Sequence, residues 1–188
     1  MNELVRVLTD GPVRDVLELD LKEPGETIRI LVAYVGQGRD KLKLHYRVNH
    51  LAPETRSEIL VCGVLTDEAE KELVMEIDFR RGCMGAVGEE REDALTLSEQ
   101  AISKTRPMIY CAEENATGVH GASMGRLDEQ AVEYLMSRGL NYQQARQLLV
   151  RAKLMQVVGK IKDTKVAAEV AKKLERALEG LVKYDYDR

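Results

Sequence analysis

Lys41-Leu42-Lys43-Leu44-His45-Tyr46-Arg47-Val48 alternates strictly between polar and apolar residues. A period of two places Leu42, Leu44, Tyr46 and Val48 on one face of a strand, and Lys41, Lys43, His45 and Arg47 on the other. Similar stretches lie on both sides. Residues 27–35 form a run rich in Ile and Val, a strand by composition. Residues 58–65 and 72–79 follow, then two shorter apolar segments at 94–97 and 108–112. Polar corners separate them, one of them a Gly-rich stretch over 82–88, and no helix-length crossover intervenes. Residues 1–127 therefore read as β-rich. A doubly wound sheet is excluded, and a sandwich, a barrel or a solenoid remains. No close internal repeat is visible, so a solenoid implies irregular coils.

The character changes near residue 127. Residues 128–188 hold twelve Lys or Arg and nine Asp or Glu, a balance of +3, whereas the preceding part carries −7 of the chain's total of −4. Three helices are predicted here. Asp128 and Glu129 open the first with acids at its positive end, and Gly139 is placed to end it. Asn141 is a cap for the second, with Ala145, Leu148, Leu149, Ala152 and Met155 as its apolar stripe. Asp163 caps the third, where Ala167, Val170, Ala171, Leu174, Ala177, Leu178 and Leu181 are in register. Residues 184–188 read as a frayed tail.

Composition narrows the function classes. The chain has 188 residues, no Trp and one Phe. With few stacking platforms and a net charge of −4, nucleic acid and anionic membranes are not expected partners. No signal-peptide core and no membrane-length apolar run is present. Cys62, Cys83 and Cys111 form no CxxC, which argues against a zinc ribbon and for a reducing, cytoplasmic setting. The Gly36-x-Gly38 and Gly82/Gly85/Gly88 patterns lack the spacing of phosphate loops, so this chain is not expected to bind a nucleotide.

One segment is distinctive: Ser103-Lys104-Thr105-Arg106-Pro107, then Val119-His120-Gly121-Ala122-Ser123-Met124-Gly125-Arg126-Leu127-Asp128-Glu129-Gln130-Ala131, then Tyr134-Leu135-Met136-Ser137-Arg138-Gly139-Leu140. It resembles the C-terminal half of the SufB/SufD family of iron–sulfur cluster assembly proteins over roughly residues 40–160. The resemblance implies a right-handed parallel β-helix over 1–127 followed by a small helical domain over 128–188. It also implies pairing through the β-helix, as a homodimer or with a SufB/SufD-like subunit, and docking of a SufC-like ABC ATPase by the helices. His120 matches the family's functional histidine. The cysteine that SufB carries about one coil earlier falls, by ungapped spacing, at Glu92, and the Glu that follows the SufB histidine is Gly121. In this motif the chain is similar to SufD, and in length it reads as a minimal homologue.

A thiolate or imidazole suits iron, and carboxylates serve as harder ligands. His120, Cys111, Cys83 and Glu92 are therefore the candidate metal ligands for a transient iron–sulfur cluster. The spacing of the three cysteines allows successive coils and a stack near His120, whereas Cys62, inside an apolar strand, reads as a core side chain. The acid pairs Glu92/Asp93 and Glu113/Glu114 also read as turn residues, His45 as surface and His50 as structural. Tyr134, Arg138 and Arg146 are the candidate partner-binding residues. The expected role is a non-enzymatic scaffold working with the ATPase. The alternative is an interaction module of that ATPase that binds no cluster. A Cys111/His120 nucleophile pair lacks an orienting group and an oxyanion site.

Overall fold

Each polar corner turns the chain so that the next strand but one lies beside the last. In the computed structural model, which describes residues 2–183, nine strands precede three helices. The strands are β1 (Asn2–Leu8), β2 (Val13–Leu21), β3 (Thr27–Gly36), β4 (Lys41–His50), β5 (Arg56–Leu65), β6 (Glu70–Phe79), β7 (Val87–Thr96), β8 (Ile102–Cys111) and β9 (Thr117–Arg126). Odd strands form one parallel sheet in the order β1-β3-β5-β7-β9, and even strands a second in the order β2-β4-β6-β8. This is a parallel β-solenoid of about four coils, which removes the sandwich and the barrel.

The coils are more regular than expected. Thr27 pairs with Arg56, Arg56 with Val87 and Val87 with Thr117, offsets of 29, 31 and 30 residues. The repeat lies in geometry rather than identity, because an inward position demands only a side chain that packs. One corner shows it best. Gly25, Glu54 and Gly85 stack with φ of 72°, 58° and 74°, and each donates its N–H to a carbonyl of the next coil: Pro53, Met84 and Asn115. That corner demands left-handed backbone, which glycine adopts without strain and Glu54 adopts only because its neighbours hold it.

The two sheets face each other across a core of Ile30, Val32, Tyr34, Leu42, Leu44, Tyr46, Val48, Ile59, Val61, Leu73, Met75, Ile77 and Phe79. The alternation read from residues 41–48 sets this directly. Tyr34 lies flat on Gly63: a Cβ there would sit 2.1 Å from the ring. The ring has no room to retreat, being fully buried and tied by its hydroxyl to Glu92. Gly63→Ala is expected to destabilise the protein by roughly 2 kcal/mol or more, read as a lower urea midpoint.

The outer face of the odd sheet is covered as well. α1 (Glu129–Ser137), α2 (Tyr142–Val158) and α3 (Thr164–Lys183) follow β9. Val150, Leu154, Val157, Val170, Leu174 and Leu178 pack on Leu31, Ala33, Val35, Cys62 and Val64 in a second core. β3 is therefore buried on both faces, which explains its continuous apolar run. The outer face of the even sheet carries ion pairs instead. Arg47 reaches Glu76 at 2.8 Å and Asp78 at 2.7 Å, and His45 meets Glu76.

The helix starts match their sequence signals. Asp128 accepts from Gln130 N–H, Asn141 and Gln144 form a capping box, and Asp163 accepts from Lys165 and Val166. The stripe expected for α2 is rotated. Ala145, Val150, Leu154 and Val157 are buried, whereas Leu148 and Ala152 face outward. α2 must pack against both the sheet and α3, so one periodic stripe does not describe it. β1, β2 and β9 are not among the strands expected from the sequence, and of β7 and β8 only the ends at 94–96 and 108–111 are. The tail at 184–188 lies outside the described residues.

Candidate functional site at the open end of the solenoid

β8 and β9 are the last strands of their sheets, so among the described residues no further coil covers them. Parallel in-register pairing puts partners on the same face. His120 pairs with Glu90, which pairs with the core residue Ile59, so His120 lies on the inward face. Cys111 pairs with Phe79, and Phe79 with His50, so Cys111 also lies on the inward face. Both are exposed because β8 and β9 are the last strands of their sheets among the described residues. Gly118 and Ala122 flank His120 on that face, and Met124 follows, its sulfur 3.2 Å from Ser103 Oγ.

One coil below are two inward glutamates with opposite circumstances. Glu92 is fully engaged. Lys71 Nζ donates to it at 2.5 Å, Tyr34 Oη donates at 3.0 Å, and the Thr105 hydroxyl donates through a short hydrogen bond. Lys71 also donates to Thr105 at 2.6 Å, and both charged side chains are wholly buried. Burial pushes the Lys71 ammonium down against the opposing pull of Glu92, and burial beside Glu92 lifts the Tyr34 phenol well up. A metal at Glu92 would have to compete with this buried pair.

Glu90 is equally buried, yet neither carboxylate oxygen has a hydrogen-bond partner among the described residues. Burial raises its pKa to about 8, against the downward pull of the nearby Met108 backbone N–H, and the Glu76 charge adds to the rise.

The cysteines do not stack. Cys62 is on the outer face of the odd sheet beside α2, 3.8 Å from Gln156 Oε1, and burial lifts its thiol to about 12. It is a core side chain, but of the core under the helices rather than of the solenoid interior. Cys83 is buried in the corner after β6, where burial raises its thiol pKa. That corner lies under the next one: Gly82 N–H donates to Glu113 and Gly85 N–H to the Asn115 carbonyl. Glu113 is thus a turn residue, with its pKa lowered by the backbone donors. Cys111 Sγ donates to the Glu113 carbonyl at 3.1 Å. His50 is internal and neutral, bonded to Thr55 and Ser57, with burial lowering its pKa to about 4. Gly121 lies on the outer face in register with Arg91. Among the described residues no three His, Cys, Asp or Glu side chains converge to hold a metal ion.

Tyr134 and Arg138 pair on the surface of the helical region, the guanidinium 5.2 Å from the ring centre, with Tyr134 58% exposed. Arg146 stacks similarly over Tyr142 and lines a cleft of about 620 Å³ with Leu97, Leu140, Leu148 and Leu178. No helix among the described residues is long and apolar enough to cross a membrane.

Two residues that matter here, Lys71 and Glu90, carried no visible signal. Glu89-Glu90-Arg91-Glu92-Asp93 reads as a solvated charge run, and only the register sends alternate members inward.

Residues 3–153 match the family described as "SUF system FeS cluster assembly, SufBD core domain". The chain is 29% identical over 142 residues to the iron–sulfur cluster assembly protein SufD of Bacillus subtilis, covering 76% of this chain and 32% of that protein. It is 27% identical over 158 residues to an iron–sulfur cluster assembly SufBD family protein of Mycobacterium tuberculosis, covering 84% of this chain and 18% of that protein. A second such protein of that organism is 26% identical over 163 residues, with 82% and 41% covered. The chain thus spans well under half the length of these relatives. With a parallel solenoid, a helical region packed on it and a match across most of its length, the chain belongs to the SufBD core-domain family of the SUF iron–sulfur cluster assembly system.

Proposed function

We infer that the chain is a cytoplasmic scaffold for iron–sulfur cluster assembly that works with a SufC-like ABC ATPase and is not itself an enzyme. The observation that carries this is the uncovered solenoid end, where His120 and Cys111 lie exposed on the inner face beside unpaired strand edges. An imidazole and a thiol are donors for iron or a nascent cluster, and open edges suit pairing with a second copy or a SufB/SufD-like subunit. The partner then completes a ligand set that this chain leaves short. The helical region, with the exposed Tyr134/Arg138 pair and an apolar cleft edged by Arg146, is the docking surface for the ATPase. Because these helices share a core with the odd sheet, force from the ATPase reaches the solenoid directly.

Co-expression with the SUF ATPase of the same genome tests this. A stoichiometric complex with altered ATP turnover is expected, together with iron and acid-labile sulfide after anaerobic reconstitution. His120→Ala should lose the iron and sulfide while leaving the circular dichroism spectrum unchanged, because the side chain is exposed. No complex and no bound iron would sink the reading. The engaged state of Glu92 favours a second one, an interaction module that binds no cluster. A complex with altered ATP turnover but without iron or sulfide is its signature.

A further inference from the structure

We propose that Glu90 is an iron ligand, taking Fe(II) together with the His120 imidazole before sulfide arrives. This rests on the reading that the open solenoid end handles iron. The proposal starts from an oddity of packing. A carboxylate withdrawn from water is costly unless it is paired or fully hydrogen-bonded. Glu92 meets that requirement with three donors, but both oxygens of Glu90 lack partners among the described residues. Lys71, the buried cation on the facing sheet, is already directed at Glu92 and Thr105. Nothing in the fold explains an acid at position 90: its in-register neighbour one coil below is Ile59, and an apolar side chain continues that column at no cost.

Its neighbour on the other side is His120, on the same face one strand spacing away, about 4.8 Å. Side chains at that spacing converge on one ion held between them. Carboxylate oxygen and imidazole nitrogen are both suited to Fe(II). On β9 itself Gly118 and Ala122 leave His120 as the large inward side chain above Glu90, with Ile109 closing in from the facing strand beside Gly118. Rotation of this exposed ring therefore opens the route by which an ion reaches the carboxylate. Two protein donors leave the other coordination positions to water, sulfide or a partner's thiolate, which suits cargo that must be passed on.

The test is an anaerobic titration of the full chain with Fe(II) against a competing chelator, with no sulfide present. One Fe(II) per chain is expected. Glu90→Gln and His120→Ala should each weaken binding at least tenfold, and Glu99→Gln, a surface change, should not. The isosteric amide keeps the fold, so thermal unfolding of Glu90→Gln at or above the wild-type midpoint excludes a trivial loss. Wild-type affinity in Glu90→Gln, or a shifted midpoint with unchanged affinity, overturns the proposal. So does a wild-type chain that binds no Fe(II) yet supports cluster assembly in the complex, an outcome that spares the functional reading. Fe(II) binding that depends on Glu90, in a chain that neither joins the ATPase nor supports a cluster, upholds the ligand and rejects the function.

Discussion

Replacing Lys71 with Met is expected to lower the unfolding free energy by about 3–5 kcal/mol, a large fraction of the stability of an ordinary domain. The ammonium and the Glu92 carboxylate are wholly buried and 2.5 Å apart. The attraction offsets two desolvation costs, so the intact pair adds little over an apolar pair of similar volume. Removing the cation alone leaves Glu92 charged in the solenoid interior, with only the Tyr34 and Thr105 hydroxyls to hold it. A second change, Glu92→Gln, removes that charge while keeping an acceptor for both hydroxyls. The double variant should therefore recover a large part of the loss, though Glu92→Gln alone destabilises. Urea unfolding followed by circular dichroism on all four proteins closes the cycle. A Lys71→Met variant within 1 kcal/mol of wild type, by the same measurement, contradicts it.

Glu90 governs how stability depends on pH. Its folded pKa of about 8 lies above the ordinary 4.5, so between these values the folded state binds more protons than the unfolded. Stability from this group is complete below pH 4.5, declines as pH rises and is lost above about 8. The full difference is at most on the order of 5 kcal/mol, before any screening by water. His50 acts in the opposite sense. Its pKa is lowered from 6.5 to about 4, so its contribution is present above pH 6.5 and lost as pH falls. The two slopes oppose each other between 4.5 and 6.5, and the Glu90 decline emerges alone from 6.5 to 8. Glu90→Gln should match wild type within about 1 kcal/mol at pH 5 and exceed it by roughly 3–4 kcal/mol at pH 9. Guanidinium unfolding across that range measures the gap. Parallel curves for the two proteins would show that Glu90 is already ionised and partnered.

These two acids, two residues apart in one strand, show how the solenoid handles interior charge. Glu92 is matched by Lys71 from the facing sheet, while Glu90 is left beneath the exposed His120. Retaining an acid that weakens the fold at neutral pH is the pattern expected where function opposes stability. The same carboxylate is thus legible twice, as a liability in unfolding and as an iron ligand in binding.

What could be read locally was read correctly in the central strands and at the helix starts. Period-two alternation over residues 41–48 determines which side chains face inward, whatever the strand pairs with. Asp128, Asn141 and Asp163 announce helix starts because capping involves only the next few residues. The run from Val119 to Leu140 identified the family. Coil stacking was not legible, since it joins strands about 30 residues apart through backbone hydrogen bonds that almost any side chain permits. Without that register the cysteines were free to stack on paper, whereas the fold sends Cys62 under α2 and leaves Cys83 and Cys111 at neighbouring corners. The same register turns a charge run at 89–93 into two buried acids and three outward residues. By itself the sequence determined the inner face of the strands, the helix caps and the family. Only the tertiary structure decided which charges are buried, which of them is paired and which stands under His120, because burial and pairing depend on segments a full coil apart.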